Sequence, residues 1–333
     1  MIPKSTCLGL VLMAALSAGL FAAETSTTAT SPQLSAAAGL TVTAALREFS
    51  PTPEMKGTVH CLGTGISVVT LVSLSRALRE VQPNVQLDLG LPTGQDMLAS
   101  LVGGSADIIA LTYVPSAEVL KKYSVPGREL VAVPFAIDPV VFFVNAHNPI
   151  AGLSLAQVKA MLERHLEDGP RAETWADVGV KWSLAASSIH GVVLNQNIEQ
   201  NTYFRKHVLK IEAVRLDVRF APTPGAGLCE VGADVAAFGI ASLLYATPAT
   251  RVVPLVTPEG VTVVPDVTAV QSGKYPLTRT LTLVAVKRDG QLPPLTREIL
   301  SYVISRRAQR QIVSLGIFPV TTDMQQQSLV MLR

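Results

Sequence analysis

The chain has 333 residues, of which 48% are hydrophobic, 16% are charged and 5% are aromatic, and its formal net charge is +2. This length and hydrophobic content suffice for about two packed domains. The near-neutral charge without a long basic block argues against nucleic-acid binding, and the few aromatic residues argue against a stacking platform for bases or sugars.

The N-terminus has the pattern of an export signal. Lys4 precedes an apolar run, Cys7–Ala22, and Ala23 is followed by the polar Glu24. The run is shorter than the roughly 18–20 residues of a membrane span, so a cleaved signal peptide fits better than an anchor. We therefore predict a signal peptide over residues 1–23 and a periplasmic location.

Residues 24–55 are rich in Thr, Ser, Ala and Pro and show little apolar periodicity. This composition predicts a flexible leader, with room for one short helix at Thr43–Phe49. The folded body is expected to begin near Lys56.

The next segment alternates strand and helix patterns, which predicts a parallel sheet with helices on its faces. In chain order the expected elements are a strand Gly57–Leu62, a helix capped by Ser67, a strand Val85–Leu91, a helix opened by Thr93 and Gly94 and closed at Gly103, and a strand Asp107–Leu111.

The same alternation continues to the C-terminus. Ser154 and Gln157 have capping-box spacing and predict a helix start. The other expected strands are Leu130–Val144, Val180–Ala186, Ala236–Ile240, Val252–Val256 and Thr280–Val286, and the other helices are Asn201–Leu209 and Pro294–Leu315.

Motifs for catalysis and for metal binding are absent from the sequence. It contains no GxSxG, Walker A, HExxH or CxxC pattern, and its five histidines lack ligand spacing. We therefore predict no catalytic residue, no cofactor and no metal. After signal removal Cys61 and Cys229 remain, either as a disulfide or, as we favour, as two buried thiols.

Seven segments, in order, resemble the phosphate-binding substrate-binding proteins of ABC importers. They are the turn Gly63–Ser67, the run Thr93–Leu98, the run Gly104–Ile108, the crossover Asp138–Asn145 with Asn148–Ile150, the run Trp175–Gly179, the strand Ala237–Ala241 and the run Tyr275–Arg279. The chain is identified as a divergent member of that family.

The resemblance implies two α/β domains with a central ligand cleft and crossover hinge strands, the periplasmic binding protein-like fold. Domain I would comprise residues 56–135 plus 245–333, and domain II residues 136–244. Hinge closure would trap the ligand between them.

The family's anion-binding loops imply a set of ligand-binding residues here. These are Thr64, Gly65, Ser67, Thr93, Gly94, Gln95, Asn201 and Thr202. Three departures weaken the pattern: the family's arginine falls near Gln196, its cleft carboxylate near Thr112, and only Thr202 survives from its Ser-Gly-Thr triplet. Arg205 is a candidate replacement cation, although a solvated helix face explains it better.

The expected function is capture of a small, phosphate-like oxyanion by a monomer that delivers it to an ABC permease. The alternative is a degenerate homologue without phosphate affinity, which acts as a sensor or envelope-complex partner or binds another small polar ligand. An anion titration distinguishes the two.

Overall fold

The computed structural model describes residues 40–92, 96–165, 169–194 and 210–333. Its strands are β1 (Gly57–Gly63), β2 (Val85–Gly90), β3 (Ile108–Leu111), β4 (Arg128–Asn145), β5 (His190–Leu194), β6 (Arg219–Ala221), β7 (Ala237–Ser242), β8 (Thr250–Val253), β9 (Leu255–Val256), β10 (Thr262–Val263) and β11 (Thr278–Arg288). Its α-helices are α1 (Gly65–Arg79), α2 (Met97–Gly103), α3 (Ala117–Tyr123), α4 (Leu155–Leu162), α5 (Pro224–Ala233), α6 (Val267–Gln271), α7 (Pro294–Val303), α8 (Arg306–Ser314) and α9 (Thr322–Met331).

One nine-stranded sheet runs in the order β2-β1-β3-β11-β4-β7-β5-β6, and β8 adds to β4. β1 pairs in parallel with both β2 and β3, which confirms the predicted parallel βαβαβ unit. β5 likewise pairs in parallel with β6 and β7. The long strand β11 is antiparallel to β3, and the long strand β4 is antiparallel to β7. β4 and β11 are also antiparallel to each other.

β4 links two groups of strands. Its residues 128–139 pair with β11 beside β1, β2 and β3, which we call the first strand group. Its residues 140–145 pair with β7 and β8 beside β5 and β6, the second strand group. Each group has its own buried core. The predicted class, two α/β domains joined by crossover strands, is confirmed.

Local sequence explains why β1 and α1 meet so closely. A Cβ atom on Gly63 would lie 2.9 Å from the Ala110 Cβ atom of β3 and 3.0 Å from Val68 of α1. Only glycine permits this approach of strand, strand and helix. Ser154 and Gln157 form the predicted capping box at the start of α4.

Two predicted elements in the body of the chain are corrected. Val180–Ala186 is not a strand, because Trp182–Leu184 forms a 3-10 turn with Trp182 at a φ of +63°. The predicted helix Pro294–Leu315 is broken into α7 and α8, because the Ser305 hydroxyl accepts the Ala308 N–H and starts a new helix.

The short helix expected at Thr43–Phe49 is not formed, and residues 40–55 of the leader lie against the C-terminal helices. The Arg47 N–H donates to Gln325 Oε1 at 2.9 Å, and the N–H and hydroxyl of Thr52 donate to the Glu298 carboxylate at 2.9 and 2.8 Å. Leu46 is only 2% exposed. Buried polar partners on α7 and α9 therefore order a segment whose composition is typical of mobile chain. The signal peptide and the rest of the leader lie outside the described residues.

The two cysteines of the described chain are both free, Cys61 buried and Cys229 exposed. No disulfide joins them, and the favoured prediction of two buried thiols holds for Cys61 alone. Burial raises the pKa of the Cys61 thiol to about 12. Within the described residues no helix is long and apolar enough to span a membrane.

Candidate functional site

The carboxyl ends of strands from both groups converge on one region. β1 and β3 end at Gly63 and Leu111 on one side, and β7 ends at Ser242 on the other. The crossover residues of β4 and β11 lie between these ends, because Leu111 pairs with Thr282 and Ser242 pairs with Val140. In α/β sheets ligands bind outside the carboxyl ends of strands. We therefore take this convergence as the candidate site.

The N-terminus of α1 opens on the first side of the site. Thr64 is its N-cap residue, and the Thr64 hydroxyl makes no capping hydrogen bond. Gly65 begins the helix at a φ of +49°, a conformation that favours glycine. The first-turn N–H groups have no acceptor inside the helix and point outward with the positive end of its dipole. This end of α1 is suited to an anion.

Ser67 differs from the predicted helix cap. It lies inside the first turn of α1, is fully buried, and donates its hydroxyl proton to the Leu111 carbonyl oxygen at 3.1 Å. This bond ties α1 to the end of β3 and leaves the backbone N–H as the remaining donor of Ser67.

Thr112 follows β3 directly and is 4% exposed. Its hydroxyl has no hydrogen-bond partner in the described part of the chain. It occupies the place where the family resemblance puts a carboxylate, so the structure offers a neutral hydroxyl there.

The other predicted ligand residues cannot be placed. Thr93, Gly94 and Gln95, and likewise Asn201 and Thr202, lie outside the described residues. Their assignment stays a prediction, as do the substitution at Gln196 and the role of Arg205.

A buried charge cluster, which sequence reasoning gave no role, occupies the crossover. Asp138 is 1% exposed and pairs across the sheet with Arg279, whose Nε donates to Asp138 Oδ2 at 2.7 Å. The Ser242 hydroxyl donates to Asp138 Oδ1. Asp138 and Arg279 both belong to segments that resemble the family, but those segments do not predict that the two residues pair.

Tyr245 borders this cluster. Burial raises the pKa of its phenol, the Asp138 charge adds to the rise and the Arg279 charge opposes it. Tyr245 ends the 3-10 turn Leu243–Tyr245, whose N-cap residue is Ser242, the residue that contacts Asp138. Its hydroxyl has no partner among the residues described, and adds another neutral hydrogen-bonding group.

Metal binding finds no support in the described ranges, where no group of three or more His, Cys, Asp or Glu residues could hold an ion. The groups gathered at the site are N–H groups, hydroxyls and a guanidinium that is paired with the Asp138 carboxylate. Chemically this arrangement suits a small anion.

Comparison with known proteins places the chain in a family and a fold. A family model described as a PBP superfamily domain matches residues 52–307. The phosphate-binding protein PstS of Pseudomonas aeruginosa is 24% identical over 290 residues, which cover 86% of this chain and 90% of that protein.

Solved structures share the fold. A possible phosphate binding protein from Planctomyces limnophilus has a TM-score of 0.63 at 16% identity, with 84% of this chain and 98% of that chain covered. An ABC-type phosphate transport receptor from Vibrio cholerae has a TM-score of 0.62 at 15% identity, with 79% of this chain and 100% of that chain covered.

Proposed function

The chain belongs to the PBP superfamily, and on that premise we propose that it is an exported solute-binding protein that captures phosphate in the periplasm. The relative from Pseudomonas aeruginosa is named a phosphate-binding protein, and the two structures of the same fold are described as a possible phosphate binding protein and an ABC-type phosphate transport receptor. Delivery to an ABC permease and a monomeric state belong to the same proposal. No catalytic step is proposed.

The observation that carries the proposal is the set of free donors where the strand ends converge. The first turn of α1 supplies backbone N–H groups, and the hydroxyls of Thr64 and Thr112 lie beside it on consecutive strand ends. Hydrogen bonds from such groups to an anion contribute about 1.5–3 kcal/mol each. Several together suffice for micromolar binding.

We also propose revised domain limits. β8 pairs with the second part of β4, and Val253, Val270 and Leu277 pack in the core of the second strand group. This packing favours a second domain that extends from residue 136 to about 277, where the prediction had it end at 244. Domain I would then comprise residues 56–135 and 278–333.

The test is an anion titration of the protein from residue 24 onward, unfolded and refolded to remove bound ligand. Phosphate, sulfate and molybdate are added at constant ionic strength, and heat and melting temperature are followed. With micromolar affinity, millimolar phosphate should stabilise the fold by about 4 kcal/mol. No shift with any of the three anions would sink the proposal and favour the degenerate-homologue alternative.

A pair of threonine variants localises the binding. Thr64→Val removes a hydroxyl that makes no capping bond, so phosphate affinity should fall about tenfold with little loss of stability. Thr223→Val is the control. It removes the hydroxyl that accepts the Ala226 N–H at the start of α5, so stability should fall while the affinity stays constant.

A further inference from the structure

Arg279 is a mostly covered cation whose hydrogen-bonding capacity is only partly used. Its side chain is 13% exposed, and its one ion pair with a described residue runs from Nε to Asp138. A guanidinium carries five N–H donors, four of them on the two terminal nitrogens. In the described part of the chain these terminal groups have no acceptor. The terminal nitrogens are not among the fully buried atoms that lack a hydrogen-bond partner, so they are accessible from solvent and available to a ligand.

Arg279 lies in the candidate site, between the strand ends of the two groups. On β11 it precedes Thr282 by three residues, and Thr282 pairs with the last residue of β3. Strands rise about 3.3 Å per residue, so Arg279 lies about 10 Å beyond the end of that strand, toward the second strand group. Ser242, the last residue of β7, contacts the same carboxylate as Arg279. Arg279 therefore lies on the floor between the two sets of strand ends.

Arg279 and the helix α1 are also on the same face of the sheet. Leu281 and Leu283 belong to the core that includes Leu71 of α1. Residues two apart on a strand share a face, so Arg279 is on the face covered by α1. The N-terminus of α1 opens toward the same region.

Asp138 fixes the orientation of the guanidinium. One of its carboxylate oxygens accepts from Arg279 Nε and the other from the Ser242 hydroxyl. With Nε held in this way, the end of the planar guanidinium offers one N–H from each terminal nitrogen as a pair of parallel donors. That geometry is matched by two oxygens of a tetrahedral oxyanion.

We propose that Arg279 contacts the bound oxyanion through its terminal nitrogens, with Asp138 as its positioning residue. This inference rests on the proposed function and adds to it a cation that the family pattern, which expects arginine near Gln196, does not assign. The crossover strand would then supply the charge that the third loop lacks.

The test measures phosphate and sulfate dissociation constants by calorimetry on the ligand-free protein. Arg279→Lys keeps the charge but loses the paired donors, and we expect about tenfold weaker phosphate binding; Arg279→Gln should weaken it about 100-fold. Arg251→Lys is the matched control, because the Arg251 guanidinium donates to the carbonyl oxygens of Asn148 and Ile150 in the second strand group. Its phosphate affinity should equal that of the wild type.

Each outcome decides between the proposals. If both Arg279 variants fold and bind phosphate within about threefold of the wild type, Arg279 is structural and the inference fails, while the proposed function stands. If the wild type binds sulfate alone and Arg279→Lys weakens it, the inference stands and the phosphate proposal fails. If no oxyanion binds the wild type, both fail. Should Arg279→Gln not fold, Arg279→Lys decides.

Discussion

Replacing Asp138 by asparagine isolates the crossover charge pair with almost no change in volume. The substitution removes a charge that accepts two hydrogen bonds, from Ser242 and from Arg279, at a position 1% exposed. Two bonds to a charged group are worth about 3–6 kcal/mol, and removal of one partner of a buried ion pair costs about 3–5 kcal/mol. We therefore expect Asp138→Asn to lower the free energy of unfolding by about 3–5 kcal/mol.

Equilibrium urea denaturation followed by tryptophan fluorescence measures this loss. Trp175 reports on the second strand group, because it is fully buried and its indole N–H donates to the Ala236 carbonyl at 3.0 Å. The denaturant slope must match that of the wild type for the comparison to hold. Asp323→Asn is the control, an exposed carboxylate in the first turn of α9, where the loss should stay below about 1 kcal/mol.

A double variant checks the assigned cause. If the charge pair is the source of the loss, Asp138→Asn combined with Arg279→Gln should cost less than the sum of the two single changes. A loss below about 1 kcal/mol for Asp138→Asn, or strict additivity in the double variant, would refute the reasoning.

Three further predictions concern the rest of the chain. Gly63→Ala should lower stability by about 1–3 kcal/mol in urea denaturation, because the new methyl group would overlap β3. In the folded protein from residue 24 onward, a thiol reagent should label the exposed Cys229 quickly and the buried Cys61 only on unfolding. The hydrogen bond from Arg215 lowers the pKa of Asp217. The stability gap between wild type and Asp217→Asn should therefore be full at neutral pH, shrink as the pH falls below about 4, and vanish below the folded-state pKa.

Matched controls sharpen these three. Gly103→Ala should be neutral or slightly stabilising, since its new Cβ would meet no atom within 4 Å. Two unreactive thiols in the folded protein, with two appearing on reduction, would indicate a disulfide and contradict the structure. A stability gap for Asp217→Asn that is independent of pH would show that the Arg215 pair is not its origin.

The alternation of strands and helices could be predicted from the sequence, because strands and helices differ in the spacing of their apolar residues. β1, β2 and β3 match their predicted strands to within one residue at each end. Helix boundaries that depend on a single polar contact could not be predicted from the sequence. The apolar stripe of Pro294–Leu315 continues through Ser305, and nothing in its period indicates that the serine hydroxyl starts a second helix there.

The candidate site divides in the same way. The turn at Thr64 and Gly65 follows a strand and begins a helix, so local pattern located it. The partnership of Asp138 and Arg279 joins residues 141 positions apart. A pairing of that range depends on the register of two long strands, which a single sequence does not specify.

The length of β4 has a mechanical consequence. Pro134 and Pro139 cannot donate a backbone hydrogen bond, and the register with β11 shifts between Leu281 and Thr282, opposite the first of them. The backbone pairing of this 18-residue strand is therefore interrupted near its two prolines, and we expect the strand to bend there most easily. Asp138 lies between the two prolines, so we expect any bending of the strand to turn the carboxylate that holds Arg279. The strand that joins the two cores would thereby also set the direction in which this mostly covered cation points.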